Sequence, residues 1–250
     1  MRSPKENPVE EYINKKYQVN NEIQINPKVK TLLDWLKLTA KSDYELIKNK
    51  EISKQFIYQS GKLGLFGMQI PREFNGIDIS VSETAQIIEQ LAAIDITLAS
   101  FTILQYSCSH SIFKHASSEI KQEYLPKMST GEMIGCFELS EPAAGSNPRV
   151  MESTLTKCDN NSLILNGSKC WLGGASIAGV FIVFAKHQSD DQSGISCFVI
   201  PASASGMDVG DEQNNLGVQG LNLRTVTFNN VVVKNTYYIY KKCNITFRII

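Results

Sequence analysis

Two stretches of this 250-residue chain combine residue types and spacings that suit chemistry. The first is Phe137-Glu138-Leu139-Ser140-Glu141-Pro142-Ala143-Ala144-Gly145-Ser146-Asn147, where a strand end runs into a proline, small residues and two hydroxyls. A loop of this composition exposes backbone amides. Its small residues let the main chain approach an anion closely, so several N–H groups and a serine hydroxyl can donate to one phosphate. A surface turn with no ligand has the same composition. The second stretch, Leu165-Asn166-Gly167-Ser168-Lys169-Cys170-Trp171-Leu172-Gly173-Gly174, places one of the chain's two tryptophans just before two glycines. An indole at a strand end beside glycine can cover a flat ring, although packing in a core is the commoner use of tryptophan.

The elements that position these stretches fall into two halves. From Pro27 to Lys127 apolar residues recur at three and four, through Leu32, Leu33, Trp35 and Leu36, then Leu46, Ile47, Ile57 and Leu63, then Ile87, Ile88, Leu91 and Ile94. That period predicts helices, with starts at Ser82 and Ser118, whose hydroxyls can accept from orphan amides. Before them, Gly61 to Gly67 and Ile70 to Gly76 hold too many glycines and a proline to continue a helix and form an irregular connection. After Gly131 the period becomes two. Short apolar runs at 153–158, 162–165, 180–184, 195–200 and 226–233 are separated by turn residues, including Asn166-Gly167, and predict about seven strands in a small barrel or sandwich. The expected class is α+β: an all-helical N-terminal domain over 1–130, a middle β-barrel domain over 131–235, and a divergent tail over 236–250.

Composition excludes several classes of function. With 25 basic and 25 acidic residues, 42% hydrophobic and 20% charged, the chain is neither disordered nor supercharged. Basic against acidic counts are 16 to 15 up to residue 130 and 9 to 10 beyond it, so neither half presents a basic surface for nucleic acid. Six cysteines lie 12 to 46 residues apart with no CxxC and three histidines, which predicts buried thiols and no metal site. The longest apolar run, Ala178 to Ala185, is too short to span a membrane, and the acidic start lacks an apolar signal core. A protein of the cytoplasm is expected, with no nucleic-acid or membrane partner.

Four stretches in order make the chain resemble the acyl-CoA dehydrogenase family. They are Gly64-Leu-Phe-Gly-Met-Gln-Ile-Pro-Arg-Glu-Phe-Asn-Gly76, Lys121-Gln-Glu-Tyr-Leu-Pro-Lys127 with Gly131-Glu132, Ser140-Glu-Pro-Ala-Ala-Gly-Ser146, and Asn166-Gly-Ser-Lys-Cys-Trp171. The third resembles the family's TEPxAGSD signature. The resemblance implies FAD at the junction of a helical domain and a β-barrel domain. It also implies removal of two hydrogens from an acyl-CoA or other acyl thioester, with the hydride going to flavin N5. Phe137, Glu138, Leu139, Ser140, Glu141, Pro142, Ala143, Ala144, Gly145 and Ser146 would line the flavin and pyrophosphate. Ser146 would also border the thioester. Trp171 would lie against the isoalloxazine, with Leu172 and Gly173 along its edge.

The chain departs from the family pattern at several places. Gly173 stands where a threonine is common, Asn147 replaces an aspartate, and Leu221 and Leu223 replace polar residues. Relatives continue well beyond the position of Lys234 into a C-terminal helical domain that carries the catalytic glutamate, and that domain is expected to be missing here. Glu138 and Glu141 match non-catalytic positions, so no catalytic residue is assigned. Two readings follow. One is an FAD oxidoreductase fragment competent only if a separate polypeptide supplies the helical domain, with a homo-oligomer or a complementing C-terminal helical chain as the expected partner. The other is a catalytically inactive fragment or a non-catalytic module that binds an acyl thioester or a protein.

Overall fold

The structure is a computed structural model that describes residues 27, 30–35, 52–158, 162–188, 194–234 and 237–243. The expected helical residues Leu36, Leu46 and Ile47 lie outside the described residues, as does the end of the tail. Residues 30–35 are helical and bury Leu32 and Leu33. Four further helices follow: α1 (Lys54–Lys62), α2 (Val81–Ile94), α3 (Ile96–His115) and α4 (Ser118–Ser129). Leu33, Ile57, Phe66, Leu91 and Phe101 join in one apolar core between them.

The helix starts differ from the sequence expectation. Ser80, not Ser82, caps α2: its hydroxyl accepts from the Glu83 amide, while the Glu83 carboxylate accepts from the Ser80 amide at 2.8 Å. This reciprocal pair needs a spacing of three residues, which Ser82 does not have relative to Glu83. Likewise Ser117, one residue before Ser118, caps α4 by accepting from the Ile120 amide. The connection from Gly61 to Gly76 is irregular as expected, with single 3-10 turns at Leu65–Gly67 and Arg72–Phe74. Gly76 lies so close to the Ile70 carbonyl that a Cβ there would sit 1.7 Å from its oxygen.

Eight strands form one sheet: β1 (Gly135–Glu138), β2 (Thr154–Lys157), β3 (Ser162–Leu172), β4 (Val180–His187), β5 (Ile195–Pro201), β6 (Met207–Glu212), β7 (Arg224–Lys234) and β8 (Tyr238–Cys243). The pairing order is β6-β7-β3-β2-β4-β5-β8, with β1 parallel to β4. A helical region followed by a sheet-rich domain is therefore the architecture, but the sheet is not closed into the expected barrel. Its path begins at β6 and ends at β8, and the two do not pair. Asp208, Asp211 and Glu212 on β6 are charges of the kind that keep an open edge from further pairing. The sheet nonetheless has two apolar faces. Val180, Ile182 and Phe184 pack with α3 and α4, while Phe181, Val183 and Ala185 turn to Leu165, Val226 and Val233.

One local reading is corrected here. Asn166-Gly167 is not a turn: β3 runs straight through it, with a register shift against β7 between Leu165 and Gly167. Gly167, at φ +149, passes so near Ser153 that a Cβ would lie 2.3 Å from its Oγ. The Asn166 carboxamide instead accepts from the Asn230 amide of β7 at 2.8 Å, which occupies the side chain that would have made the turn. Within the tail, Tyr238–Cys243 joins the sheet as β8, antiparallel to β5, with Ile239 buried. Of the cysteines, Cys108, Cys136, Cys170 and Cys197 are buried, whereas Cys158, just past the end of β2, is exposed.

Candidate cofactor site

The loop after β1 is held from three directions. From the helical side, the buried Gln105 of α3 accepts from the Gly135 amide at 2.8 Å and donates to the Met133 carbonyl at 3.1 Å, which fixes where β1 begins. Within the loop, Glu141 and Ala144 exchange backbone hydrogen bonds of 2.9 and 3.1 Å, which closes a tight turn with Pro142 and Ala143 at its tip. After it, the Asn147 side chain accepts from the Arg149 amide at 3.2 Å and starts a short 3-10 turn.

This frame divides the expected site residues into two sets. Pro142, Ala143, Gly145, Ser146 and Asn147 are exposed, and a Cβ on Gly145 would meet nothing within 4 Å. The amides of Gly145 and Ser146 and the Ser146 hydroxyl make no hydrogen bond to any described residue. These are open donors on an open loop. The other set faces inward. Ala144 is buried, the Phe137 ring packs 5.2 Å from the Phe184 ring, and Leu139 is part of the same apolar cluster.

The two glutamates are also turned in. The Glu141 carboxylate accepts from Lys169 Nζ at 2.7 Å and from the backbone amides of Glu152 and Ser153. Burial works against its charge, but these donors outweigh it and hold the carboxyl below the ordinary range. Lys169 is sealed from solvent, and burial pulls its ammonium down against the opposing pull of Glu141. Glu138 is fully buried with both carboxyl oxygens unpaired. Burial holds it well above the ordinary carboxylate range, with the Lys169 charge opposing.

On the neighbouring strand, the Cys170 amide donates to the Ser140 carbonyl at 3.0 Å, tying β3 to the loop one residue before the tryptophan. The β3–β7 register slips between Lys169 and Leu172, and Trp171 adopts φ +60. A bulge of this kind re-aims a side chain. The indole is 55% exposed, so it is not a core tryptophan. The Trp171 amide donates to the Gln213 carboxamide at 2.9 Å, which supports the strained backbone. Leu172 and Gly173 are buried behind it, and the Gly173 carbonyl faces the Cys136 thiol at 3.6 Å. Sequence reading missed Lys169 and Gln213. Neither residue stands out by type or spacing, because their partners lie 28 and 42 residues away.

The arrangement gives a small-residue loop with free donors and a bare indole on adjoining backbone, both raised on a buried polar base. Such a niche can hold an anionic group at the loop and a flat ring at the indole. Among the described residues no group of histidine, cysteine and acidic side chains is placed to hold a metal ion, and no helix is long and apolar enough to cross a membrane.

Two family models match the chain, one in each half. Residues 36–132 match the model of the acyl-CoA dehydrogenase N-terminal domain, and residues 136–231 match that of the acyl-CoA dehydrogenase middle domain. The mitochondrial short/branched chain specific acyl-CoA dehydrogenase of Rattus norvegicus is 31% identical over 195 residues, covering 77% of this chain and 45% of that enzyme. The solved glutaryl-CoA dehydrogenase from Mycobacterium smegmatis in complex with FADH2 superposes with a TM-score of 0.77 at 24% identity, covering 87% of this chain and 57% of that one. The FAD complex of PigA gives a TM-score of 0.78 at 25% identity, covering 89% and 60%. The chain thus spans less than half the length of the rat enzyme. With the two domain models matched side by side and in order, the chain belongs to the acyl-CoA dehydrogenase family.

Proposed function

We propose that this chain forms the FAD-holding part of an oxidoreductase that dehydrogenates an acyl thioester, such as an acyl-CoA, across its α and β carbons. The observation that carries the reading is the pairing of the free Gly145 and Ser146 donors with the exposed Trp171 indole, joined by the Cys170–Ser140 hydrogen bond. FAD, when bound, supplies the hydride acceptor. The chain's own residues do the holding. Gly145 and Ser146 would donate to the pyrophosphate, and Ser146 would also border the thioester. Pro142, Ala143 and Ala144 keep the loop low enough for that approach. Ser140 would lie near the ring, Trp171 would lie against it, and the Leu172–Gly173 backbone would follow its edge. Phe137 and Leu139 support the loop from the apolar side, and the FAD complex of PigA supports the choice of cofactor.

Glu138 and Glu141 act from below the loop. A base must reach the α carbon within about 3 Å, and both carboxyls are sealed away from the open face. This favours a second reading, a non-catalytic module that binds an acyl thioester without turnover.

The test is to add FAD to the purified chain and follow its visible absorbance with Trp171 fluorescence. A perturbed flavin band with quenched indole emission is expected, weakened several-fold in Ser146→Ala. No flavin band shift with any acyl-CoA present would remove the proposal.

A further inference from the structure

A buried ion pair contributes little to stability compared with apolar residues of the same volume, because the desolvation of both charges offsets their attraction. The chain nevertheless keeps one directly beneath the proposed flavin loop. The Lys169 side chain is fully sealed and the Glu141 side chain nearly so, at 0% and 2% exposure. The contacts of the pair are positional. Lys169 Nζ donates to the Leu139 carbonyl at 3.3 Å, where the loop begins, and to Glu141 Oε1 at 2.7 Å, at its turn. The Glu141 carboxylate in turn accepts from Glu152 and Ser153, where the chain re-enters the sheet before β2. The loop is thereby drawn closed from inside, and the residue that does so stands on β3 two positions before Trp171.

From these contacts we infer that Lys169 is a positioning residue: with Glu141 it forms the joint that sets the anion-holding loop against the indole. The ammonium holds both the start and the turn of the loop, so the donors at Gly145 and Ser146 keep one distance from Trp171. An apolar side chain would fill the space but leave the Leu139 carbonyl without the ammonium donor and the Glu141 carboxylate, still held by the Glu152 and Ser153 amides, without its counter-charge. The inference rests on the flavin reading for its functional meaning, but the joint itself has a readout that needs no flavin.

The experiment compares Lys169→Met/Glu141→Gln, which removes the ammonium without leaving a buried charge, with the wild-type full chain and with Leu91→Ala. Leu91 is a control in the helical core remote from the loop. Amide hydrogen exchange is read at 139–146, and FAD affinity by titration. The double variant, which loses both hydrogen bonds of the Lys169 ammonium, is expected to exchange roughly ten-fold faster at 139–146 and to bind FAD roughly ten-fold more weakly. Leu91→Ala should change neither in that segment. Wild-type exchange at 139–146 in the double variant would overturn the inference. Should the double variant not fold, Glu141→Gln alone keeps an oxygen that accepts from the Glu152 and Ser153 amides and is expected to loosen the same segment; unchanged exchange there overturns the inference equally. If wild type binds no FAD, the flavin reading fails while the exchange arm still decides the joint.

Discussion

Leu104 Cδ1 of α3 stands 2.6 Å from where a Cβ on Gly173 would lie, with Leu223 Cδ2 at 3.7 Å and Leu221 Cβ at 3.8 Å from the same point. The space that a side chain at 173 would need is filled from the helical half of the molecule. The absence of a threonine at 173 is therefore coupled to Leu104, and any contact with a ring edge there comes from backbone. Gly173→Thr should cost about 1–3 kcal/mol through overpacking. In Gly173→Thr/Leu104→Ala most of that added cost should vanish, with a coupling above about 0.5 kcal/mol in a denaturant-melt cycle. Strictly additive costs would show that the two positions do not share the space.

Glu138 gives a pH dependence with a definite sign. Facing it are Cys136 on its own strand, Cys108 on α3 and Lys169 on β3. One ammonium cannot neutralise two buried carboxyls, and Glu141 already holds it. Burial therefore keeps the Glu138 proton in the folded state, raising its pKa above the unfolded value. Below the unfolded pKa, about 4.3, both states are protonated and the group costs nothing. Above it, the unfolded chain releases the proton and the folded chain does not. Stability then falls by up to about 1.4 kcal/mol per pH unit until the folded carboxyl ionises. Glu138→Gln should remove this slope and be more stable than wild type at neutral pH. Chemical denaturation at several pH values checks it, and parallel curves for the two proteins would count against a protonated Glu138.

The α2 cap distinguishes two nearby serines. Ser80→Ala removes the acceptor for the Glu83 amide and should cost about 1 kcal/mol. Ser82→Ala, on an exposed position of the first turn, should stay within about 0.5 kcal/mol. Thermal melts of the two variants would reverse in order if Ser82 were the cap.

The strand β8 offers a direct measure of how firmly the tail belongs to the fold. Ile239 is 4% exposed and packs in the cluster shared by α3, α4, β4 and β5. Ile239→Ala should destabilise by about 2–4 kcal/mol, as for other buried aliphatic truncations. A tail lying loosely on the surface would show a change near zero in urea denaturation.

Much of this architecture was legible in the residues themselves, because helices, strands and small-residue loops are set by neighbours a few positions apart. The three-and-four period of the first half, the alternation of the second, and the breakers between Gly61 and Gly76 each report local geometry. So do the small, hydroxyl-bearing residues around Ser146 and the tryptophan before two glycines. Other features depended on partners distant in sequence. β6 is too polar and β8 too poorly patterned to announce themselves, and their place at opposite ends of the sheet decides that it stays open. The outward indole depends on a register slip against β7 and on Gln213. The inward turn of Glu141 depends on Lys169, 28 residues away. Sequence alone determined which segments could hold an anion and a ring; only the tertiary structure decided that they meet, since the bonds that join them are long-range and form only when the strands pair.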